Sequence, residues 1–141
     1  MASLRLFDFT QQLLELSMRV RGARHEVLSA NIANADTPGF RPKDLDFESV
    51  MRTAVELDDR PVSRERQMDE MISGPMGFEA AIYEPSNGDR RHGEERFDGN
   101  RVSLDRQIAL LNENALSYEA NLTLFSRALA KLRYVISDGR S

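Results

Sequence analysis

Leu6, Phe9, Leu13, Leu16, Val20, Ala23, Val27 and Ala30 recur through the stretch LRLFDFTQQLLELSMRVRGARHEVLSANIA, residues 4–33. The gaps between them alternate between 3 and 4 without a break. That is a heptad seam, the pattern of a helix packed along its length against another. Gly22 is its weak point, since glycine within a helix costs about 1 kcal/mol against alanine. A second stretch repeats the pattern. From Ser103 to Ser137, the residues Leu104, Ile108, Leu111, Ala115, Tyr118, Leu122, Phe125, Leu129, Leu132 and Ile136 alternate by 4 and 3. Ser103 suits an N-cap and Asp105 the positive helix end. Arg127, Lys131 and Arg133 suit the negative end, and Gly139 is a natural stop.

Between these stretches the composition changes. All five prolines lie from Pro38 to Pro85, and residues 41–100 hold 15 acidic against 9 basic side chains. The chain divides into an N-terminal helix and turn (1–40), an irregular acidic connector (41–100) and a C-terminal helix (101–141), together one domain. Within the connector, Phe47–Leu57 reads as a short helix and Ala80–Tyr83 as a short strand. Glu84–Asn100 reads as a mobile loop, and the Asp-Gly turn signal in Phe97–Val102 allows a small β-hairpin. The predicted fold is mainly α: two long terminal helices packed as a coiled-coil-like pair. The connector reads as too polar and too rich in glycine and proline to cover much apolar surface.

The 141 residues suffice for one modest core. No apolar run reaches the roughly 20 residues of a membrane span. The chain has no Cys, which excludes disulfides and thiol chemistry, and its net charge of −4 offers no general attraction to nucleic acid. Residues 1–9 lack the basic and apolar regions of a cleaved secretory signal, which taken alone places the protein in the cytoplasm. His25 and His92 have no partner at a metal-binding spacing, and His25 reads as a surface histidine. The pairs Asp58-Asp59, Asp69-Glu70 and Glu94-Glu95 read as solvated carboxylates rather than an acid/base pair. Gly74-Pro75-Met76-Gly77 reads as a turn, not a phosphate cradle. The expectation is a non-enzyme without cofactor, metal, nucleic acid or small-molecule substrate.

Both helices also carry large apolar residues off the seam: Phe7, Leu14, Met18, Leu28 and Ile32 in the first, Leu110, Leu116, Leu124, Tyr134 and Val135 in the last. A lone two-helix pair exposes most of them, at roughly 1.5–3 kcal/mol of forgone burial each. Self-association or a helical partner is the reading this favours over a closed monomer. Either a self-assembling subunit or a coiled-coil adaptor binding a partner helix fits.

The first helix closes in Asn31, Ile32, Ala33, Asn34, Ala35, Asp36, Thr37, Pro38, Gly39 and Phe40. Pro38 and Gly39 fit the central positions of a type II turn, and Asp36 and Thr37 can bond nearby backbone. Two asparagines one turn apart suggest amides that satisfy backbone groups of a neighbouring chain.

This segment resembles the signature of the flagellar axial proteins, the rod, hook and hook-associated subunits. Residues 114–121, with Tyr118, Ala120 and Asn121, resemble their C-terminal helix. Lys43–Phe47 and Asp98–Asp105 resemble the FlgB-type rod subfamily specifically, as do Ser126-Arg127 and Leu132-Arg133. The resemblance covers residues 4–50 and 97–138 and fails over 55–96. Phe40 stands where the family more often has tyrosine, and Pro42 is a second departure.

The resemblance implies a structural subunit of the proximal rod of the bacterial flagellar basal body, self-assembling to transmit torque. It implies passage, unfolded and without signal cleavage, through the flagellar type III export apparatus to a periplasmic rod. It also implies terminal helices that are largely disordered before assembly. Implied partners are copies of the chain, FlgC-type and other rod subunits, a FliE-type base protein and the export gate. The expected contacts are Leu6, Phe9, Leu13, Leu16, Val20, Val27, Asn31, Ile32, Asn34 and Asp36–Phe40. On the last helix they are Leu104, Ile108, Leu111, Tyr118, Asn121, Leu122, Phe125, Leu129, Leu132 and Ile136.

Overall fold

A computed structural model describes residues 2–56, 63, 66, 67, 69–71, 78–86 and 103–138, with side chains of the first helix described from Phe9 onward. Helix α1 runs unbroken over Ala2–Ala33. Its 32 residues span about 48 Å, and Gly22 does not interrupt it. After the turn come β1 (Asp44–Leu45), α2 (Phe47–Val55), a 3-10 turn at Glu79–Ala81, β2 (Ile82–Tyr83) and the 35-residue α3 (Leu104–Asp138). The hairpin expected at Phe97–Val102 and the stop at Gly139 lie outside the described residues.

Helices α1 and α3 lie side by side and antiparallel. Asn31, near the end of α1, bonds Gln107 at the start of α3, and Ser17 bonds Asn121 further along. The two strands pair antiparallel, Asp44 opposite Tyr83 and Leu45 opposite Ile82. The expected strand over 80–83 is thus shorter, because the backbone up to Ala81 is coiled into the 3-10 turn. Helix α2 is two residues shorter than expected. Asp46 caps it by accepting from the Ser49 N–H at 3.0 Å, and Glu56 closes it by donating to the Arg52 carbonyl.

The core corrects one expectation. The connector does cover apolar surface: Leu16 and Val20 of α1 are buried beneath Leu45, Val50 and Ala54, with Phe47, Met51, Met71, Phe78 and Ile82 packed around them. A zone's average composition hides an amphipathic helix. Phe47, Val50, Met51 and Ala54 recur at helical spacing and fall on one face of α2. The middle of the α1 seam, Leu13, Leu16, Val20 and Ala23, therefore packs against α2 and β1.

Candidate assembly surface

The face that α3 turns to α1 is not its apolar series. Gln107, Leu110 and Asn114 are buried at 0%, 6% and 1% exposure, whereas Leu104 and Ile108 beside them stay 45% and 42% exposed. On α1 the matching row is Ser17, Arg21, Arg24, Leu28 and Asn31. It is again a heptad, displaced by about one position from the apolar seam. Three amides of α3, each seven residues from the next, hold the pair together. Asn31 Nδ2 donates to Gln107 Oε1 at 2.9 Å, Asn114 Nδ2 to the Arg21 carbonyl at 2.8 Å, and Asn121 Nδ2 to Ser17 Oγ. The same register sets Leu28 opposite Leu110, both buried.

Asn31 also fastens the turn. Its Nδ2 donates to the Lys43 carbonyl at 2.6 Å and its Oδ1 accepts from the Lys43 N–H at 2.9 Å. Asn34 Nδ2 donates to the Ala30 carbonyl, and its Oδ1 accepts from Thr37 Oγ1. The amides expected to serve a neighbouring chain thus find partners within their own. Phe40 N–H donates to the Thr37 carbonyl and Gly39 has φ +73°, which matches the expected type II turn about Pro38-Gly39.

Charges brace the connector against α1. Arg24 donates to both carboxylate oxygens of Asp44, each at 2.7 Å, and Asp44 is 1% exposed. That hydrogen bonding to Asp44 raises the Arg24 pKa from its ordinary value, against the lowering effect of burial. Arg21 lies over the Phe47 ring, 4.1 Å from its centroid. Burial, and then the nearby Arg24 charge, lower the Arg21 pKa. Among the described residues, Arg21 Nε and Asn114 Oδ1 are buried without a hydrogen-bond partner. Arg21, Arg24, Asp44, Phe47, Tyr83 and Glu113 line a cleft of about 440 Å³ between the connector and α3.

The expected contact residues divide three ways. Leu16, Val20 and Asn31 are buried inside the chain, so in this conformation they offer nothing to a neighbour. Phe9, Leu13, Val27, Ile32, Asn34, Phe40, Leu111, Asn121, Phe125 and Leu132 are partly buried. Asp36, Thr37, Pro38 and Gly39 are exposed, as are Leu104, Ile108, Tyr118, Leu122, Leu129 and Ile136. The Leu6 side chain lies outside the described residues. Off the seam, Leu116, Leu124, Tyr134 and Val135 are also exposed, whereas Leu28 and Leu110 are buried.

Helix α3 thus presents a long exposed apolar stripe that the other described residues leave uncovered, near a turn that is itself exposed. Such a surface fits helix packing rather than bond making. His25 is exposed on α1, and among the described residues no three of His, Asp and Glu converge as metal ligands would. Gln107, Asn114, Arg21, Arg24 and Asp44 were not anticipated from sequence. The seven-residue recurrence of Gln107, Asn114 and Asn121 was the available signal for a polar seam.

Residues 21–41, which hold Arg21, Arg24, Asn31 and the turn, match the family described as "Flagella basal body rod protein". The chain is 33% identical over 134 residues to the flagellar basal body rod protein FlgB of Yersinia ruckeri, with 93% of each chain covered. It is 30% identical over 139 residues to FlgB of Escherichia coli K12, covering 94% of this chain and 96% of that one. FlgB of Salmonella typhimurium is 29% identical over 141 residues, with the same coverage.

Proposed function

The chain belongs to the FlgB-type flagellar basal body rod proteins and is a structural subunit of that rod, and from that premise we propose how it assembles. Its place is the proximal rod. Subunits join through the exposed stripe of α3 and the turn at residues 36–40, and torque passes through many helix contacts held in parallel. The supporting observation is the stripe itself. Six large apolar side chains of the heptad series, Leu104, Ile108, Tyr118, Leu122, Leu129 and Ile136, remain exposed along one face of α3 after the chain has folded, and Leu116, Leu124, Tyr134 and Val135 are exposed beside it. A surface that large on one helix is a docking surface awaiting neighbours. In an open helical assembly those contacts are heterologous, so the stripe of one subunit meets a different face of the next.

The subunit reaches a periplasmic rod through the flagellar export gate without a cleaved signal. There it meets FlgC-type and other rod subunits and a FliE-type base protein. The absence of Cys leaves no disulfide to obstruct an unfolded passage. The test is Leu122→Asp in a strain carrying only that copy. The protein should be exported at the normal level, fail to enter isolated basal bodies and leave the cells non-motile. Normal swimming would remove the stripe from the assembly.

A further inference from the structure

Helix α3 changes charge along its length. Residues 104–120 carry Asp105, Glu113 and Glu119 against Arg106, whereas residues 121–138 carry Arg127, Lys131 and Arg133 against Asp138. The exposed apolar stripe runs through both lengths, so acids flank one part of it and bases the other. Beside the acidic length, α1 and α3 leave a groove of about 380 Å³ between them. The small residues Gly22 and Ala115 line it, together with Tyr118 of the stripe, Glu26 and Glu119. A Cβ at Gly22 meets nothing within 4 Å, so the groove is open there. Glu26 and Glu119 are exposed, and neither has an ion pair among the described residues. Arg21 borders the groove too, but its guanidinium lies over the Phe47 ring of the connector. Asn114 also lines it, 1% exposed, with its Oδ1 left without a hydrogen-bond partner.

We infer that this groove receives the basic length of α3, at Leu129, Arg133 and Ile136, from a second copy of the chain. The inference rests on the assembly reading and deepens it, because it names the face that the stripe of the next subunit meets. Leu129, Arg133 and Ile136 stand four and three residues apart, so they share one helix face, and all three are exposed. Arg127 and Lys131 fall on another face. The shared face offers two apolar knobs to a groove lined by glycine and alanine, and a cation between them to Glu26 and Glu119. Arg133 has no ion pair among the described residues. Nor does it reach the groove of its own chain, because 14 residues of one helix, about 21 Å, separate it from Glu119. The occupant is therefore another chain, and a copy of this one supplies the basic complement to the acidic groove. An ion pair in open water is worth little. Covered by a packed helix it is screened far less, and a like charge in its place is repelled. Groove meets stripe, so each added copy brings a free groove and a free stripe, and the contact repeats along an open assembly.

The test is a charge exchange, read as incorporation into isolated basal bodies from strains that carry only the altered copy. Glu119 and Arg133 are both exposed, so reversing either leaves the fold of the chain intact. Glu119→Arg alone and Arg133→Glu alone should each lower incorporation by about tenfold or more, at a normal level of export. The double exchange should recover most of it. Such recovery arises only between chains, given the length of helix between the two positions within one. Gly22→Leu should be exported normally and left out of the rod, since nothing within 4 Å meets a Cβ there and a leucine fills the groove. Normal incorporation of either single reversal or of Gly22→Leu would overturn the contact. So would a double exchange no better than the single reversals, which would mean that the two charges meet different proteins. Leu122→Asp keeps the two readings apart. Its exclusion from the rod beside normal incorporation of the charge variants would leave the stripe in the assembly and remove only the groove as its seat.

Discussion

Asn31 grips Lys43 by both edges of one side-chain amide, donating to its carbonyl at 2.6 Å and accepting from its N–H at 2.9 Å. The amide behaves as a short piece of β-strand placed beside residue 43. It holds the backbone as it leaves the turn and enters β1. Asn31→Ala should destabilise the chain by roughly 2–4 kcal/mol in urea denaturation, since two backbone bonds to Lys43 and one to the buried Gln107 amide are lost together. Asn31→Asp should do little better. It keeps the acceptor, loses the donor and turns a negative charge toward two carbonyl oxygens.

Arg24 and Asp44 form a buried two-pronged pair. Asp44→Ala should cost about 3–5 kcal/mol, because it strands a guanidinium under the connector. Arg24→Lys should lose part of that, since an ammonium cannot match both oxygens at once. The pH sign follows from the raised Arg24 pKa. Its contribution is complete below the unfolded value and is lost only as pH rises through the folded one, in strongly alkaline solution. Burial lowers Arg21 instead, so its charged form opposes folding at every lower pH, and alkaline conditions relieve it. Near neutral pH neither arginine should make the urea midpoint depend on pH.

Two aspartate substitutions should separate folding from assembly. Val20 is fully buried beneath the connector, so Val20→Asp should cost over about 4 kcal/mol and leave little folded protein by circular dichroism. Leu122 is 46% exposed, so Leu122→Asp should shift monomer stability by within about 0.5 kcal/mol while abolishing incorporation into rods.

The two glycines of the described N-terminal region should respond oppositely to alanine. A Cβ at Gly22 meets nothing within 4 Å, so Gly22→Ala should stabilise α1 by about 1 kcal/mol. Should the more stable variant nonetheless assemble poorly, a neighbouring subunit approaches α1 at that point. Gly39 has φ +73°, so Gly39→Ala should destabilise the turn by about 1 kcal/mol, read from the urea midpoint.

The long helices were legible because their apolar residues keep helical spacing over four heptads in α1 and five in α3, and the turn because Pro38-Gly39 leaves few conformations. What each helix packs against was less so. Heptad spacing shows that a face is buried, not which partner buries it. Leu16 and Val20 met α2, an element whose few apolar residues are lost in a polar average. The seam with α3 was missed because its members are Ser17, Asn31, Gln107, Asn114 and Asn121. Apolar periodicity cannot register amides, although their spacing repeats as strictly. β1 was missed for a different reason: two residues carry no period, and Asp44 is a poor strand former whose place is set by Arg24.

The seam of amides joins positions far apart along the backbone: 76 residues separate Asn31 from Gln107 and 104 separate Ser17 from Asn121. A polypeptide emerging N-terminus first therefore carries α1 with its polar face unanswered for most of its emergence. The bolt closes last, after some three quarters of the chain has passed. Until then α1 can pack only against the connector, and the late arrival of one helix sets the moment at which the polar seam closes.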